Sequence, residues 1–140
     1  MSIRLRGREI HPKILRYCRA ELMQENYFHA VFEAAKSIAR RIRDMTGLPL
    51  DGAAFIDKCF SENQPLIWIN ALRTETERSE HKVFAMLLKG AFAAIRNPTT
   101  REPKILWQGE DDAVDYFTLL SMLHSKLDKA KAEKIKSEVE

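Results

Sequence analysis

Two arginines separated by a short polar segment are the residues of this 140-residue chain whose types and spacing best suit chemistry. The stretch from Gly90 to Arg101 reads G-A-F-A-A-I-R-N-P-T-T-R, so that Arg101 follows Arg96 by five positions. A guanidinium group presents N–H donors in a fork that matches phosphate oxygens, and Thr99 and Thr100 add hydroxyl donors. The segment therefore predicts a phosphate-binding site.

The backbone of this segment is predicted to leave a helix at a proline. Pro98 disfavours helical conformation at Asn97, so we expect the helix to end there and Arg96 to lie in its last turn. The short connection that follows can bring Arg96 and Arg101 toward one point, with Asn97 stabilising the turn or contacting a ligand. A simpler interpretation stays open, in which Arg96 only binds carbonyl groups at the end of its own helix.

The four histidines are scattered along the sequence and supply no obvious partner for the arginines. His81 lies about four turns before Arg96 on the same predicted helix. His124 borders the apolar face of the last predicted helix, a position typical of a core histidine, and His11 and His29 have no distinctive context. Scattered histidines do not have metal-ligand spacing, so we predict neither a metal site nor a cofactor.

The two cysteines are predicted to be buried free thiols. Cys18 and Cys59 both lie among apolar residues and lack metal-ligand spacing. Free buried thiols are typical of a reducing compartment, so this pattern favours the cytoplasm.

Apolar residues recur at spacings of three and four through most of the chain, which predicts an all-α fold. A compact apolar run at Pro65–Leu72 is instead predicted to be a short strand or an extended segment. Asp51 is predicted to cap a short helix, and Thr74 or Thr76 to cap the next. The predicted helices cover about Glu9–Met23, Glu25–Met45, Asp51–Phe60, a segment from Arg73–Glu80 through Val83–Ile95, and Asp111 or Asp112 to about Asp128.

We predict one domain over residues 1–132, followed by a solvated tail or helix extension at 133–140. The helix at Val83–Ile95 is apolar nearly all round, which predicts a central position or a subunit interface. Apolar residues make up 45% of the chain and charged residues 31%, and no apolar run approaches the roughly 18 residues that span a membrane. The N-terminus also lacks the apolar stretch of a signal peptide.

The net charge of +3 is too small to establish a nucleic-acid partner by itself. Two clusters of arginine are nevertheless candidates for phosphate contact, although solvated faces are the more usual role of such clusters. One lies at the N-terminus and the other near the end of a predicted helix: Arg4, Arg6 and Arg8, and Arg40, Arg41 and Arg43.

Several segments resemble the conserved hypothetical Ymh family, a bacterial family placed in the HEPN superfamily. The resemblance extends over residues 10 to 131. The segments that carry it are D-G-A-A-F-I-D-K-C-F-S near residue 51, P-L-I-W-I-N near residue 65, G-A-F-A-A-I-R-N-P, and D-A-V-D-Y-F-T-L-L-S-M-L-H-S-K-L-D-K-A. The resemblance implies a bundle of about four core helices that pairs as a homodimer, with the motif loops of both subunits at one shared cleft.

The resemblance also implies a chemistry, namely metal-independent cleavage of RNA that leaves a 2′,3′-cyclic phosphate. The HEPN motif consists of Arg, a polar residue, a spacer and His. The arginine stabilises charge on the phosphate, and the histidine transfers protons. Arg96 and Asn97 match this motif, whereas Arg101 occupies the histidine position. Because a guanidinium stays protonated, it cannot take a proton from a ribose hydroxyl.

Three functions are compatible with this pattern. The first is a HEPN-like endoribonuclease of a toxin or phage-defence system, with Arg96, Asn97 and Arg101 as its catalytic residues and an antitoxin or defence protein as a possible partner. The second is a catalytically silent dimer that binds RNA, a nucleotide or another phosphate ligand through Arg96, Arg101, Thr99 and Thr100. The third is a structural interaction module in which the arginines are incidental.

Overall fold

The structure is a computed structural model that describes residues 3–5, 8–23, 27–49, 52–99 and 110–132. Helices hold 73% of these residues, which confirms the predicted all-α fold class. The helices are α1 (Pro12–Met23), α2 (Tyr27–Thr46), α3 (Ala53–Cys59), α4 (Glu75–Thr99) and α5 (Glu110–Asp128). The strands are β1 (Ile3–Leu5), β2 (Arg8–Ile10), β3 (Ile67–Trp68) and β4 (Lys131–Ala132).

A short antiparallel hairpin precedes the first helix and was not predicted. In it, Ile3 of β1 pairs with Ile10 of β2, and Leu5 pairs with Arg8. The period-two alternation I-R-L-R was a usable strand signal. Because β2 occupies residues 8–10, α1 begins at Pro12, three residues later than the predicted start at Glu9.

The long amphipathic helix predicted over residues 25–45 corresponds to α2. Ala30, Ala34, Ile38 and Ile42, which follow one another at intervals of four, are all fully buried. Positions four apart lie on one side of an α-helix, so the spacing alone selects the face that packs into the core.

The start of α3 differs from the prediction that placed Asp51 at the N-cap. The capping residue is Gly52, at φ 89°, and its carbonyl accepts a hydrogen bond from the Ile56 N–H at 3.2 Å. No side chain caps this helix. The backbone takes a positive φ immediately before α3, and glycine adopts that conformation without the steric cost of a Cβ.

A reciprocal pair of hydrogen bonds fixes the start of α4 and shows that Thr74, one of the two predicted caps, is the capping residue. The Glu77 N–H donates to Thr74 Oγ1 at 3.0 Å, and the Thr74 N–H donates to Glu77 Oε1 at 3.0 Å. The backbone N–H groups of Thr74 and Arg73 donate hydrogen bonds to the Glu77 carboxylate. These bonds, that of Thr74 most of all, lower the pKa of Glu77 below its usual value. This arrangement is a capping box, which satisfies N–H groups that have no partner within the helix.

The apolar run at Pro65–Leu72 contains a short strand, which was one of the two conformations predicted for it. Its central residues form β3, which pairs antiparallel with β4 so that Ile67 faces Ala132 and Trp68 faces Lys131. Lys131 and Ala132 therefore form a strand and do not extend α5. Residues 133–140 lie outside the described part of the chain.

Two compact units make up the structure. The first contains the described residues of Met1–Ile38 and Ala91–Ser125, and the second those of Ala39–Gly90 and Lys126–Glu140. In the first unit, Phe117, Leu120 and Leu123 of α5 are fully buried; in the second, Phe55 and Ile56 of α3 are buried as well. The prediction of a single domain over residues 1–132 stays a prediction.

The helix at Val83–Ile95 is apolar nearly all round, but only one of its sides is buried. One side carries buried residues, among them Phe84 and Leu88. The other carries Val83, Met86 and Leu87, which are 50%, 58% and 38% exposed. Within the described residues, α4 is thus covered on one side only.

Candidate functional site

Arg96 and Asn97 lie in the last turn of α4, directly after the buried residue Ile95. Ile95 is fully buried, so the backbone that carries Arg96 is held against the core of the first unit. The side chains of Arg96, Asn97 and Thr99 lie outside the described part of the structure, as do Thr100 and Arg101 entirely. The predicted convergence of Arg96 and Arg101 stays a prediction.

The helix end differs from the prediction, because α4 continues through Asn97 and Pro98 to Thr99. Proline lacks an N–H and therefore cannot donate a helical bond to the carbonyl four residues earlier. Near the end of a helix this loss affects a single bond, so the last turn tolerates Pro98. Proline disfavours helical conformation at the residue before it, which is Asn97 here. Asn97 is nevertheless helical, because the 22 residues of α4 that precede it already form a helix.

His124 is a buried structural histidine, as its position beside the apolar face predicted. It is fully buried, and its Nε2 lies 2.8 Å from Ser37 Oγ. The Ser37 hydroxyl donates its one proton to the Ala34 carbonyl at 2.6 Å, so its oxygen accepts from the His124 Nε2–H. This arrangement fixes the tautomer of His124 and links α5 to α2.

His11 has a structural role that the sequence did not indicate. Its Nδ1 accepts a hydrogen bond from the Lys13 N–H at 3.1 Å, which caps the start of α1. Its backbone N–H donates to Ser121 Oγ on α5 at 3.1 Å, and its ring stacks on His124 at 4.8 Å between centroids. A local sequence signal for this pair does not exist, because the partners are more than a hundred residues apart.

His81 lies in the second unit and is also fully buried. Its Nε2–H donates to the Phe60 carbonyl at 3.0 Å, while its Nδ1 has no hydrogen-bond partner within the described structure. Burial lowers the pKa of His81, against the opposing effects of the Phe60 carbonyl and the Glu62 carboxylate. A buried neutral imidazole of this kind is not accessible to a large substrate.

Cys59 behaves as the buried thiol that its apolar neighbours predicted. It is fully buried, and this burial raises its pKa to about 11, while a hydrogen bond with Thr46 acts in the opposite direction. A thiol with a raised pKa is a poor nucleophile at neutral pH. Among residues that the structure describes, no group of three or more His, Cys, Asp or Glu side chains is placed to hold a metal ion.

The arginine cluster on α2 is partly neutralised by acidic side chains. Arg40 lies 3.6 Å from Asp44, and Arg41 donates to Asp128 at 2.6 Å. Arg43 lines an open pocket of about 270 Å³ together with Asp44. Arg40 and Arg41 are therefore paired with carboxylates within the chain, which weakens the case for a phosphate role of this cluster. The side chains of Arg4, Arg6 and Arg8 are outside the described structure.

No helix in the described ranges is long and apolar enough to cross a membrane. The predicted cytoplasmic location stays a prediction.

Comparison with known proteins places the chain within a family. Neither a curated protein nor a solved structure matches the chain. The family model described as a protein of unknown function (Hypoth_ymh) matches residues 8–127, a range that includes α4 and the whole segment from Arg96 to Arg101. The chain therefore belongs to the Hypoth_ymh family.

Proposed function

We propose that this protein is a HEPN-like, RNA-directed protein of a bacterial toxin or phage-defence system, with metal-independent endoribonuclease activity that is slow because of Arg101. The observation that carries the proposal is the Arg96-Asn97 pair at the end of a core-anchored helix in a Hypoth_ymh chain. The all-α fold and the resemblance of four sequence segments to a HEPN-type family support it.

The guanidinium groups carry the phosphate-binding role in this proposal. The C-terminal end of a helix has partial negative charge from its free carbonyls, so the end of α4 does not attract a phosphate by itself. Arg96 and Arg101 supply the positive charge, Asn97 positions them, and Thr99 and Thr100 add hydroxyl donors. In a homodimer the two copies together bring four such arginines to one cleft.

Proton transfer is the weak step of the proposed reaction. Arg101 holds its proton at all ordinary pH values and cannot serve as the general base. His81 and His124 are fully buried and bound to Phe60 and Ser37, so neither is available to a ribose hydroxyl. The absence of a general acid–base group typically costs a factor of about 10²–10⁴ in rate.

The experiment is a cleavage assay on unstructured RNA in the presence of EDTA. We expect weak cleavage that leaves 2′,3′-cyclic phosphate ends, is lost in Arg96→Ala and rises by about 10²–10⁴ in Arg101→His. If Arg101→His is folded, dimeric and still inert, the assignment of position 101 to the motif is wrong.

The second candidate function is a silent dimer that binds RNA or another phosphate ligand without cutting it. Arg101 at the histidine position and the burial of His81 and His124 favour this candidate. It predicts salt-dependent RNA binding without cleavage, which Arg96→Ala/Arg101→Ala abolishes.

A matched control for that double variant is Arg73→Ala/Arg78→Ala, which removes the same charge at exposed positions in the second unit. RNA binding that persists in Arg96→Ala/Arg101→Ala, or that falls equally in both double variants, contradicts a phosphate site at α4. That outcome leaves an interaction module, with a partner such as an antitoxin, as the function.

A further inference from the structure

His81 is a fully buried titratable side chain that holds the end of α3 against α4. Phe60 is the C-cap of α3, and its carbonyl accepts a hydrogen bond from the His81 Nε2–H at 3.0 Å. Carbonyl groups at the end of a helix have no partner within that helix. The His81 ring therefore caps α3 from α4, and both residues belong to the second unit.

The other ring nitrogen of His81 has no hydrogen-bond partner within the described structure. Because Nε2 carries the proton that binds Phe60, the neutral ring leaves Nδ1 as an uncharged acceptor. A second proton would turn Nδ1 into a charged donor without an acceptor, in a side chain that has no exposed surface. The contact therefore fits the neutral ring and does not fit the protonated one.

The charged groups near His81 do not compensate for a proton on the ring. Burial lowers the pKa of His81, and the Phe60 carbonyl and the Glu62 carboxylate oppose it with smaller effects. Glu62 itself lies 3.9 Å from Lys82. The other charged side chains of α3 and of the start of α4 are Asp57, Lys58, Arg73, Glu75, Glu77, Arg78 and Glu80. Among the carboxylates of that group, Asp57 binds Lys89, Glu77 binds backbone N–H groups, and Glu80 binds Asn70.

The connection between α3 and β3, residues 61–66, is the part of the chain that can move away from His81. Residues 62–64 are exposed. The Gln64 N–H makes only a long bond of 3.4 Å to Ser61 Oγ, whereas the Leu66 N–H donates to the Cys59 carbonyl at 2.9 Å. Exposed segments with weak hydrogen bonds open at a small cost in free energy, so this connection can separate from α4 while the rest of the unit stays folded.

We propose that His81 is a pH-sensitive switch for the end of α3, in which the neutral ring holds Phe60 and residues 61–66 against α4 and protonation releases them. In the open state the ring reaches water, which accepts hydrogen bonds from both nitrogens. The Phe60 ring packs at 5.6 Å between centroids against His81 and against Phe84, so acid uncovers an apolar surface. The switch lies in the second unit and involves neither RNA nor Arg96, so it does not depend on the proposed function.

The direction of the switch follows from the state that binds the proton more tightly. The closed state holds the ring with a lowered pKa, whereas a ring in water has its ordinary pKa of 6.5. The closed state is therefore favoured above about pH 6.5, and the open fraction grows as the pH falls. For one proton, the equilibrium constant for opening rises by up to about tenfold between pH 7.5 and pH 5.5.

Hydrogen exchange at the Leu66 N–H tests the switch in the parent protein, because its bond to the Cys59 carbonyl breaks on opening. The measured quantity is the exchange rate relative to the intrinsic rate at the same pH. We expect protection of Leu66 to fall by up to about tenfold from pH 7.5 to pH 5.5, and to stay below that of the buried Ile42. Constant protection at Leu66, or exchange of Leu66 only together with Ile42 by global unfolding, overturns the proposal.

Two variants separate titration of the ring from the loss of a contact between α3 and α4. His81→Gln keeps a donor for the Phe60 carbonyl but does not titrate, so protection of Leu66 is expected to be equal at the two pH values. Asp57→Asn weakens the ion pair with Lys89 and is expected to lower protection at both pH values while keeping their ratio. A parent-like pH dependence in His81→Gln shows that another group titrates, and the proposal is then wrong.

NMR titration of the His81 ring in the parent protein decides the same point if His81→Gln does not fold. We expect the ring to become charged only at pH values where the Leu66 N–H has lost its protection. A charged His81 ring in a protein whose Leu66 N–H is still protected overturns the proposal, since the closed state would then hold the protonated ring.

Discussion

His81 illustrates how one buried side chain links the structure to pH. Its ordinary pKa is 6.5, and burial lowers that pKa in the folded protein. The folded state therefore holds a neutral ring at pH values where the unfolded chain begins to bind a proton. Stability from this residue is complete above about pH 6.5 and is lost as the pH falls from there toward the lowered pKa.

The matched variant for His81 is His81→Gln, which keeps an N–H donor for the Phe60 carbonyl but does not titrate. We expect the free energy of unfolding to fall less steeply in His81→Gln than in the parent as the pH decreases below about 6.5. The difference is at most about 1.4 kcal/mol per pH unit for one group. Denaturant unfolding at several pH values measures it; equal slopes in the two proteins contradict a lowered pKa.

Arg101 poses the main chemical question at the same scale. A guanidinium holds a phosphate well and transfers protons poorly, so under the proposed function Arg101 favours binding over cleavage. The comparison of Arg101→His with Arg96→Ala follows from that difference, because the first restores a proton carrier and the second removes the charge.

At the scale of elements, the capping box gives α4 a defined first turn. Thr74 and Glu77 each satisfy a backbone N–H of the other, at 3.0 Å. We expect Thr74→Ala to lower the free energy of unfolding by about 1 kcal/mol, as is usual for the loss of an N-cap.

The control for this substitution is Thr76→Ala, which lies inside the first turn and makes no capping bond among those described. Alanine is the better helix former, so Thr76→Ala is expected to be neutral or slightly stabilising. Chemical denaturation measures both variants. An equal loss in the two would mean that the hydroxyl of Thr74 contributes nothing specific.

The end of α4 shows that the preference against helical conformation before a proline can be outweighed. The helix includes Pro98 and Thr99 and does not end at Asn97 as predicted. At the start of α3 the backbone conformation decides the cap, since Gly52 takes the capping position with a positive φ. Both corrections concern one or two residues at helix ends, where competing local preferences are of similar size.

At the scale of the whole molecule, the strand β4 ties the last described residues back to the middle of the chain. Ala132 pairs with Ile67, which is fully buried. Truncation after Ala130 removes this pairing, and we expect it to lower stability by about 1 kcal/mol per lost hydrogen bond, or a few degrees in Tm.

Truncation after Ala132 is the control, because it removes residues 133–140 and keeps β4. Thermal unfolding followed by circular dichroism distinguishes the two proteins. Identical melting temperatures would show that the β3–β4 pairing does not stabilise the second unit.

The sequence by itself determined the helices, the buried faces and the candidate site residues. Apolar spacing is local, so α2 and its burial at Ile38 and Ile42 could be predicted, as could the cap at Thr74 and the core position of His124. Arg96 and Asn97 were identified by residue type and by resemblance, which need no coordinates.

Only the tertiary structure decided which distant residues meet and which surfaces stay uncovered. Ser37 and His124 are 87 positions apart, and no pattern in the sequence links them before the chain folds. An all-apolar helix likewise indicates burial, but its composition does not identify the residues that cover it. Its contacts leave Val83, Met86 and Leu87 exposed, and this exposure depends on packing and not on composition.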